Sequence, residues 1–199
     1  MQNSTIFKKI MKNIAIFASG SGTNAENLIR FFRTSHSGQV NLVLTNNKHA
    51  GVIRRAQSND IETLVFSRAQ FYETQKVLDL MKQREIDFVV LAGFLWLVPD
   101  YLLKTYENKI VNIHPALLPK YGGKGMYGKH VHEAVISNGE KESGITIHYV
   151  NSRYDEGDVI FQAHCKVKPG DTPESLASRI HQLEYEHFPV VVENLLQEL

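Results

Sequence analysis

The stretch NIAIFASGSGTNAENLIRFFR, residues 13–33, decides the fold class of this chain. Its apolar start, Asn13–Ala18, predicts a buried strand, and Asn24–Arg33 has the pattern of an amphipathic helix. The same alternation continues outward, with strands predicted at Val40–Thr45, Glu62–Phe66, Phe88–Ala92 and Ile110–Ile113, and helices at Ala50–Asn59 and Gln70–Arg84. This alternation predicts an α/β fold: a doubly wound, mostly parallel sheet with helices on both faces.

The last third of the chain changes pattern. Gly144–Val150 and Val159–Val167 are longer apolar runs, which we expect to extend the sheet as antiparallel strands. Thr172 and Pro173 then predict the start of a final helix, because threonine suits the N-cap and proline the first turn. Pro189 lies inside that helical pattern and is expected to kink or break the helix.

Composition indicates one globular domain that binds small ligands. With 199 residues, 43% of them hydrophobic, the chain can bury a sizeable core, and we expect a single domain over residues 11–199. Met1–Ile10 precede the first strand pattern and are expected to be an N-terminal extension, a candidate for disorder. The net charge of +1 predicts no nucleic-acid partner, and no apolar run approaches the roughly 20 residues of a membrane span.

Cysteine and histidine usage bears on the compartment and on metals. The single cysteine, Cys165, excludes an intrachain disulfide and a cysteine-based zinc site, and it fits a reducing compartment. Because the first ten residues also lack the apolar segment of a signal peptide, we expect a cytoplasmic protein. Among the nine histidines, His130 and His132 stand two apart on a predicted helix and cannot share a face, so no metal site is expected.

The run NIHPALLP, residues 112–119, carries the strongest chemical signal. In an extended strand, residues i and i+2 point to the same side, so Asn112 and His114 can face one reacting atom together. Pro115 ends the strand and restricts His114 to extended geometry. With the later Asp155, in the segment DEGD, this set suits acyl transfer: an amide for a developing oxyanion, an imidazole for charge or a proton, and a carboxylate to orient it.

Two glycine-rich segments are candidates for ligand binding. Ser19–Ala25 lies between the first strand and the first helix, where backbone N–H groups form an anion site. Gly20, Gly22 and Ala25 match a dinucleotide fingerprint, but no acidic residue follows the second strand, so a single phosphate fits better. Gly122–Gly128 is either a surface loop or a lid over the site.

The combined pattern resembles the phosphoribosylglycinamide formyltransferases, folate-dependent enzymes of purine synthesis within the formyltransferase superfamily. The matching stretches are ASGSGTN (18–24), VVLAGF (89–94), NIHPALLPKY (112–121) and the region of GITIHYV and YDEGDVIFQ (144–162). The resemblance spans nearly the whole chain from Met11 onward and implies the Rossmann-like formyltransferase fold. Many members carry Arg where this chain has Trp96, and a shorter loop in place of Gly122–Gly128.

The resemblance also implies a set of site residues. It matches Asn112, His114 and Asp155 to the catalytic residues. It implies that Gly22, Thr23 and Asn24 hold the substrate phosphate and that Glu184 binds the substrate ribose. It implies folate binding by Asn112 and by two segments, one of Leu95, Trp96, Leu97 and Val98, the other of Asn151, Ser152, Arg153, Tyr154 and Asp155.

The implied activity is transfer of the formyl group of 10-formyltetrahydrofolate to the amine of glycinamide ribonucleotide, through a tetrahedral intermediate and without a metal. Three other functions remain open. Formyltetrahydrofolate hydrolase, a deformylase, would use the same three catalytic residue types. A dinucleotide-dependent oxidoreductase is suggested by the glycine pattern, and the last is a non-catalytic folate- or phosphoribosyl-binding module. Both a monomer and a homodimer are compatible with the sequence.

Overall fold

A computed structural model describes residues 11–199, which form one seven-stranded mixed sheet with helices on both faces. The prediction for Met1–Ile10 lies outside the described residues. Neighbouring strands follow the order β3-β2-β1-β4-β5-β6-β7. The strands are β1 (Lys12–Phe17), β2 (Gly38–Thr45), β3 (Glu62–Val65), β4 (Phe88–Leu91), β5 (Ile110–His114), β6 (Glu142–Tyr149) and β7 (Val159–Lys166).

The first five strands are parallel, and β6 and β7 are antiparallel, which confirms the predicted fold class. The helices are α1 (Thr23–Phe32), α2 (Gly51–Gln57), α3 (Arg68–Tyr72), α4 (Lys76–Gln83), α5 (Asp100–Thr105), α6 (Lys129–Ser137) and α7 (Pro173–Gln197). In the part of the chain that the structure describes, no helix is long and apolar enough to cross a membrane.

One prediction about helices was wrong, and a second was wrong in part. The helix expected over Gln70–Arg84 is two helices, because Ser67 caps α3 and a turn separates it from α4. At Pro189, where a kink or a break was expected, the break is absent and α7 continues through this residue. Proline removes the N–H that would bond to the carbonyl of Tyr185, four residues earlier. The side-chain amide of Asn27, on α1, donates to that carbonyl at 2.9 Å and replaces the lost bond.

Alternate side chains of β1 enter two separate hydrophobic cores. Ile14 and Ile16 pack with α1, α2, α6 and α7 on one face of the sheet, whereas Ala15 and Phe17 pack with α3, α4 and α5 on the other. Strands buried on both faces are typical of a parallel sheet covered by helices, which explains why the apolar runs in the sequence are nearly continuous.

The strand order places a crevice at the carboxyl ends of β1, β4 and β5. From β1 the chain winds outward to β2 and β3, and it then returns to place β4 on the other side of β1. Ligands bind in open α/β sheets at such a switch point, because the loops on the two sides diverge there. The glycine-rich turn after β1 and the end of the NIHP strand both lie at this edge.

Candidate active site

A cavity of about 600 Å³ opens at the carboxyl ends of β1, β4 and β5. It is lined by the turn after β1 and the turn after β4, by residues 112–115, by the glycine-rich loop of residues 123–128, and by side chains of α6, α7 and the Asp155 turn. The predicted glycine turn after β1, the end of the NIHP strand and the Asp155 turn therefore meet at one place, although they are far apart in the sequence. The glycine-rich loop forms part of its wall.

Asn112 and His114 both line the cavity from the end of β5, as the strand pattern predicts. His148 stands directly opposite Asn112 on β6. Its Nδ1 lies 2.8 Å from the Tyr149 carbonyl, which can only accept, so Nδ1 carries the proton and Nε2 accepts from the Asn112 amide at 3.1 Å. The second amide hydrogen of Asn112 faces Asp155 Oδ1 at 3.4 Å, a weaker contact that a ligand carbonyl can share.

His114 is buried between two acceptors. Its Nε2 donates to the Tyr121 carbonyl at 2.7 Å, and its Nδ1 lies 3.5 Å from Asp155 Oδ2. Burial lowers the pKa of His114, and the charge of Asp155 and the Tyr121 carbonyl oppose this shift. The imidazole is therefore neutral near pH 7, yet both neighbours stabilise the cation that forms when Nδ1 takes up a proton.

Asp155 reaches this pair from a tight turn. Its backbone has φ 55, a left-handed conformation that Asp adopts more readily than most residues. The turn packs so closely on β6 that a Cβ added at Gly157 would lie 1.7 Å from the Tyr149 carbonyl, which explains the glycine of the DEG motif. Burial pushes the pKa of Asp155 up, but His148, His114 and the Gly123 N–H, which donates at 2.9 Å, outweigh burial and hold that pKa below its usual range.

The chain after His114 is held by two side chains of the antiparallel strands. The Thr146 hydroxyl donates to the Ala116 carbonyl at 2.7 Å and accepts from the Leu118 N–H at 3.0 Å. Gln162, on β7, donates to the same hydroxyl and to the Leu118 carbonyl. These contacts explain why β6 and β7 matter to the site: they fix the segment that follows His114.

The predicted phosphate and ribose residues lie together at the other end of the cavity. Gly22, Thr23 and Asn24 form the turn into α1, and Glu184 lies opposite on α7. The Asn24 amide donates to Glu184 Oε2 at 2.9 Å, while Asn24 Oδ1 is buried without a partner in the described part of the chain. Burial raises the pKa of Glu184 to about 7, and the Asn24 hydrogen bond opposes this shift. A polar ligand here would meet a carboxyl group poised between its two protonation states.

The two predicted folate segments are only partly at the cavity. Leu95, Tyr154 and Asp155 line it, and the Leu95 N–H donates to the Ser19 hydroxyl at 3.1 Å. Trp96 packs instead among the rings of Phe66, Phe71, Tyr72 and Phe94, and the Arg68 guanidinium lies over Trp96 and Tyr72. The remaining residues of the two segments are not among those that line the cavity. The Leu97 carbonyl accepts from the Tyr72 hydroxyl, and Val98 is buried. The Asn151 side chain accepts from the Arg153 N–H, and Ser152 is exposed.

Three histidines at the site were missed from the sequence. His148 holds Asn112, and His132 and His181 line the cavity from α6 and α7. The sequence predicts β6 as a strand but does not give its register against β5. Without that register, His148 could not be placed beside Asn112. Within residues 11–199, no group of three or more His, Cys, Asp or Glu side chains is arranged to hold a metal ion.

Comparison with known proteins gives the class. Residues 12–192 match the family model described as formyl transferase, and this chain belongs to that family. Relatives carry a more specific name. Phosphoribosylglycinamide formyltransferase of Bacillus subtilis is 34% identical over 94% of this chain and 95% of its own length. The chloroplastic protein of the same name from Arabidopsis thaliana is 40% identical over 94% of this chain, which spans 66% of that relative.

Solved structures agree with this assignment. The crystal structure of phosphoribosylglycinamide formyltransferase from Anaplasma phagocytophilum superposes with a TM-score of 0.86 at 34% identity, covering 94% of this chain and 88% of that one. The antiparallel C-terminal strands therefore belong to an arrangement already seen in experimental structures. The family predicted from NIHPALLP, SGSGTN and DEGD is confirmed.

The raised pKa of Glu184 predicts how stability depends on pH. The folded chain holds this proton more tightly than the unfolded chain, whose carboxyl has its ordinary pKa of 4.5, so stability falls as pH rises from 4.5 to 7. Glu184→Gln removes this titration. The free energy of unfolding of the variant minus that of the wild type should therefore be about 3 kcal/mol larger at pH 8 than at pH 4. Urea denaturation across this range measures the difference. Glu186→Gln, at an exposed position, is the control. A stability difference between Glu184→Gln and the wild type that does not change with pH would contradict the raised pKa of Glu184.

Proposed function

We propose that this chain transfers the formyl group of 10-formyltetrahydrofolate to the amine of N1-(5-phospho-D-ribosyl)glycinamide, a step of purine biosynthesis. The observation that carries the proposal is one cavity with two chemically different ends. One end has the amide, imidazole and carboxylate of Asn112, His114 and Asp155, and the other has the glycine turn of α1 with Glu184. The names of the relatives support the same reaction.

The proposed chemistry begins with neutral His114. The substrate amine attacks the formyl carbon, a C–N bond forms, and the carbonyl electrons move to oxygen. The amine then loses a proton to His114 Nδ1, and the imidazolium is stabilised by Asp155 at 3.5 Å and by the Tyr121 carbonyl. Its charge and the Asn112 N–H stabilise the oxyanion. The bond to folate N10 breaks, N10 takes the proton from His114, and tetrahydrofolate and the formylated nucleotide leave.

The two ends of the cavity assign the two substrates. Backbone N–H groups at the start of α1 suit the 5′-phosphate, because a helix N-terminus favours an anion. Glu184 suits the ribose hydroxyls, with Asn24 holding its carboxyl group. Leu95 and Tyr154 lie beside the catalytic end and are proposed to contact the pterin, while Trp96 supports that wall through its ring packing. Binding both substrates together converts the transfer into an effectively intramolecular step.

The remaining assignments are also proposals. We take residues 11–199 to act as one formyltransferase domain, supported by the family match over residues 12–192. A cytoplasmic location is supported by the single half-buried cysteine, which fits a reducing compartment. The partners are the two small-molecule substrates, without nucleic acid or membrane. The protein acts as a monomer or a homodimer.

A folate assay with and without nucleotide tests the transferase directly. Water has no anchor at the phosphate end, so 10-formyltetrahydrofolate alone should be hydrolysed slowly. Adding glycinamide ribonucleotide should accelerate tetrahydrofolate release at least 100-fold, with formylated nucleotide formed in equal amount. Absorbance reports the folate and chromatography the nucleotide. Equal rates in both reactions, with free formate as product, would establish the deformylase instead.

Substitutions at the catalytic end should lower turnover more than binding. Asn112→Ala and His114→Ala each remove a group that stabilises the transition state, and we expect kcat to fall roughly 100- to 1000-fold with KM changed by less than about fivefold. Asp155→Asn keeps the shape but loses the charge beside His114, so its kcat should fall as well. His164→Ala, at an exposed position on β7, is the control. A folded Asn112→Ala or His114→Ala variant with near-native kcat would contradict the mechanism.

A substitution at Gly20 can test the phosphate end of the cavity without disturbing the fold. A Cβ at Gly22 would lie 2.5 Å from Val52 Cβ, at a backbone φ of 77, so a substitution there disturbs the fold. At Gly20 a Cβ meets no atom within 4 Å. Gly20→Val should therefore keep its Tm and raise KM for the nucleotide about tenfold, with KM for the folate unchanged. Gly20→Ala should have a smaller effect, and a rise confined to the folate KM would reverse the two substrate positions.

A further inference from the structure

His132 is a buried polar side chain that the proposed chemistry does not use. It lies on α6 with 3% of its surface exposed, and it lines the cavity. Its Nδ1 is fully covered and has no hydrogen-bond partner among the described residues. A buried polar group without a partner costs about 1–3 kcal/mol, so an unpartnered imidazole in a ligand cavity calls for a reason beyond packing.

The position of His132 relates it to both ends of the cavity. It is close enough to His114, at the catalytic end, and to His181, one turn before Glu184 on α7, for their charges to act on it. Burial first, and then those two histidines, lower the pKa of His132 to about 4. At neutral pH it is therefore an uncharged imidazole in the wall of the cavity that His114 and His181 also line.

The covered Nδ1 also determines where the proton resides. In a neutral imidazole one ring nitrogen carries hydrogen and the other a lone pair. Buried N–H groups without an acceptor are rarer than buried acceptors without a donor. Hydrogen on Nε2 leaves only a lone pair buried at Nδ1, and it makes Nε2 the nitrogen that can donate into the cavity. The side chain therefore offers one neutral N–H donor.

We propose that His132 donates this hydrogen bond to the carbonyl oxygen of the substrate glycinamide. The inference rests on the proposed function, because the glycinamide group is what joins the ribose to the reacting amine. A ligand with its phosphate at α1, its ribose at Glu184 and its amine at His114 must place its amide between them. A neutral donor suits an amide oxygen, and it adds no positive charge that would repel the positively charged nitrogen formed when the amine attacks. His132 is thus a substrate-binding residue that orients the nucleophile.

Two substitutions at His132 and two ligands test the contact. His132→Leu removes the donor together with the unpaired Nδ1, so its Tm should equal or exceed that of the wild type. Its Kd for glycinamide ribonucleotide should rise about tenfold. Ribose 5-phosphate shares the sugar and phosphate but lacks the carbonyl, so its Kd should not change. His132→Gln carries an amide N–H that reaches about as far as Nε2 and should bind glycinamide ribonucleotide within about threefold of the wild type. Calorimetry on the full chain measures both ligands, with His164→Leu as the control.

Each alternative result has a distinct meaning. A wild-type chain that does not bind glycinamide ribonucleotide would reject the proposed function itself. A wild type that binds it, with an unchanged Kd in His132→Leu, would reject only the His132 contact. Equal losses for both ligands would move the contact to the sugar or the phosphate and overturn the proposal. A lower Tm in both His132 variants, with binding lost in proportion, would show that His132 is structural.

Discussion

The carboxylate of Asp155 is the contact on which the catalytic end of this structure depends. It is nearly buried, and it accepts from the Gly123 N–H at 2.9 Å and faces the Asn112 amide and the His114 ring. These partners come from a strand end and from a glycine-rich loop. One charge therefore joins parts of the chain that are far apart in the sequence, and desolvation makes every one of its contacts costly to lose.

The balance of charge across the cavity follows from burial. At one end, partners outweigh desolvation and keep Asp155 ionised. At the other end, desolvation prevails, and Glu184 has a pKa of about 7. His114, beside Asp155, and His132, in the wall of the same cavity, are both shifted toward the neutral form. The site therefore has one fixed negative charge beside the proposed proton acceptor and otherwise adaptable groups, a distribution suited to proton transfer without metal.

The fold and the family could be predicted from the sequence because both depend on local patterns. Buried strands are recognisable as apolar runs, and the two polar residues of the NIHP motif, Asn112 and His114, lie on one strand. The sequence could not reveal His148, His132 or His181, because their relation to the site depends on strand register and helix packing. The same limit explains Trp96: its neighbours are rings from separate segments, so its distance from the cavity could not be seen in the order of residues.

The bond between Asn27 and the Tyr185 carbonyl has a consequence for how this chain acquires its structure. In an isolated peptide with the sequence of α7, the Tyr185 carbonyl would bind water and the Pro189 ring would still crowd the preceding turn, so the peptide should form two short helical segments of low stability. Docking on α1 replaces that water with a protein donor fixed in place, the Asn27 amide. The long helix is therefore a product of tertiary structure. Because α1 also carries the turn of Gly22 and Asn24, the alignment of Glu184 with that turn is established in the same event that completes the helix.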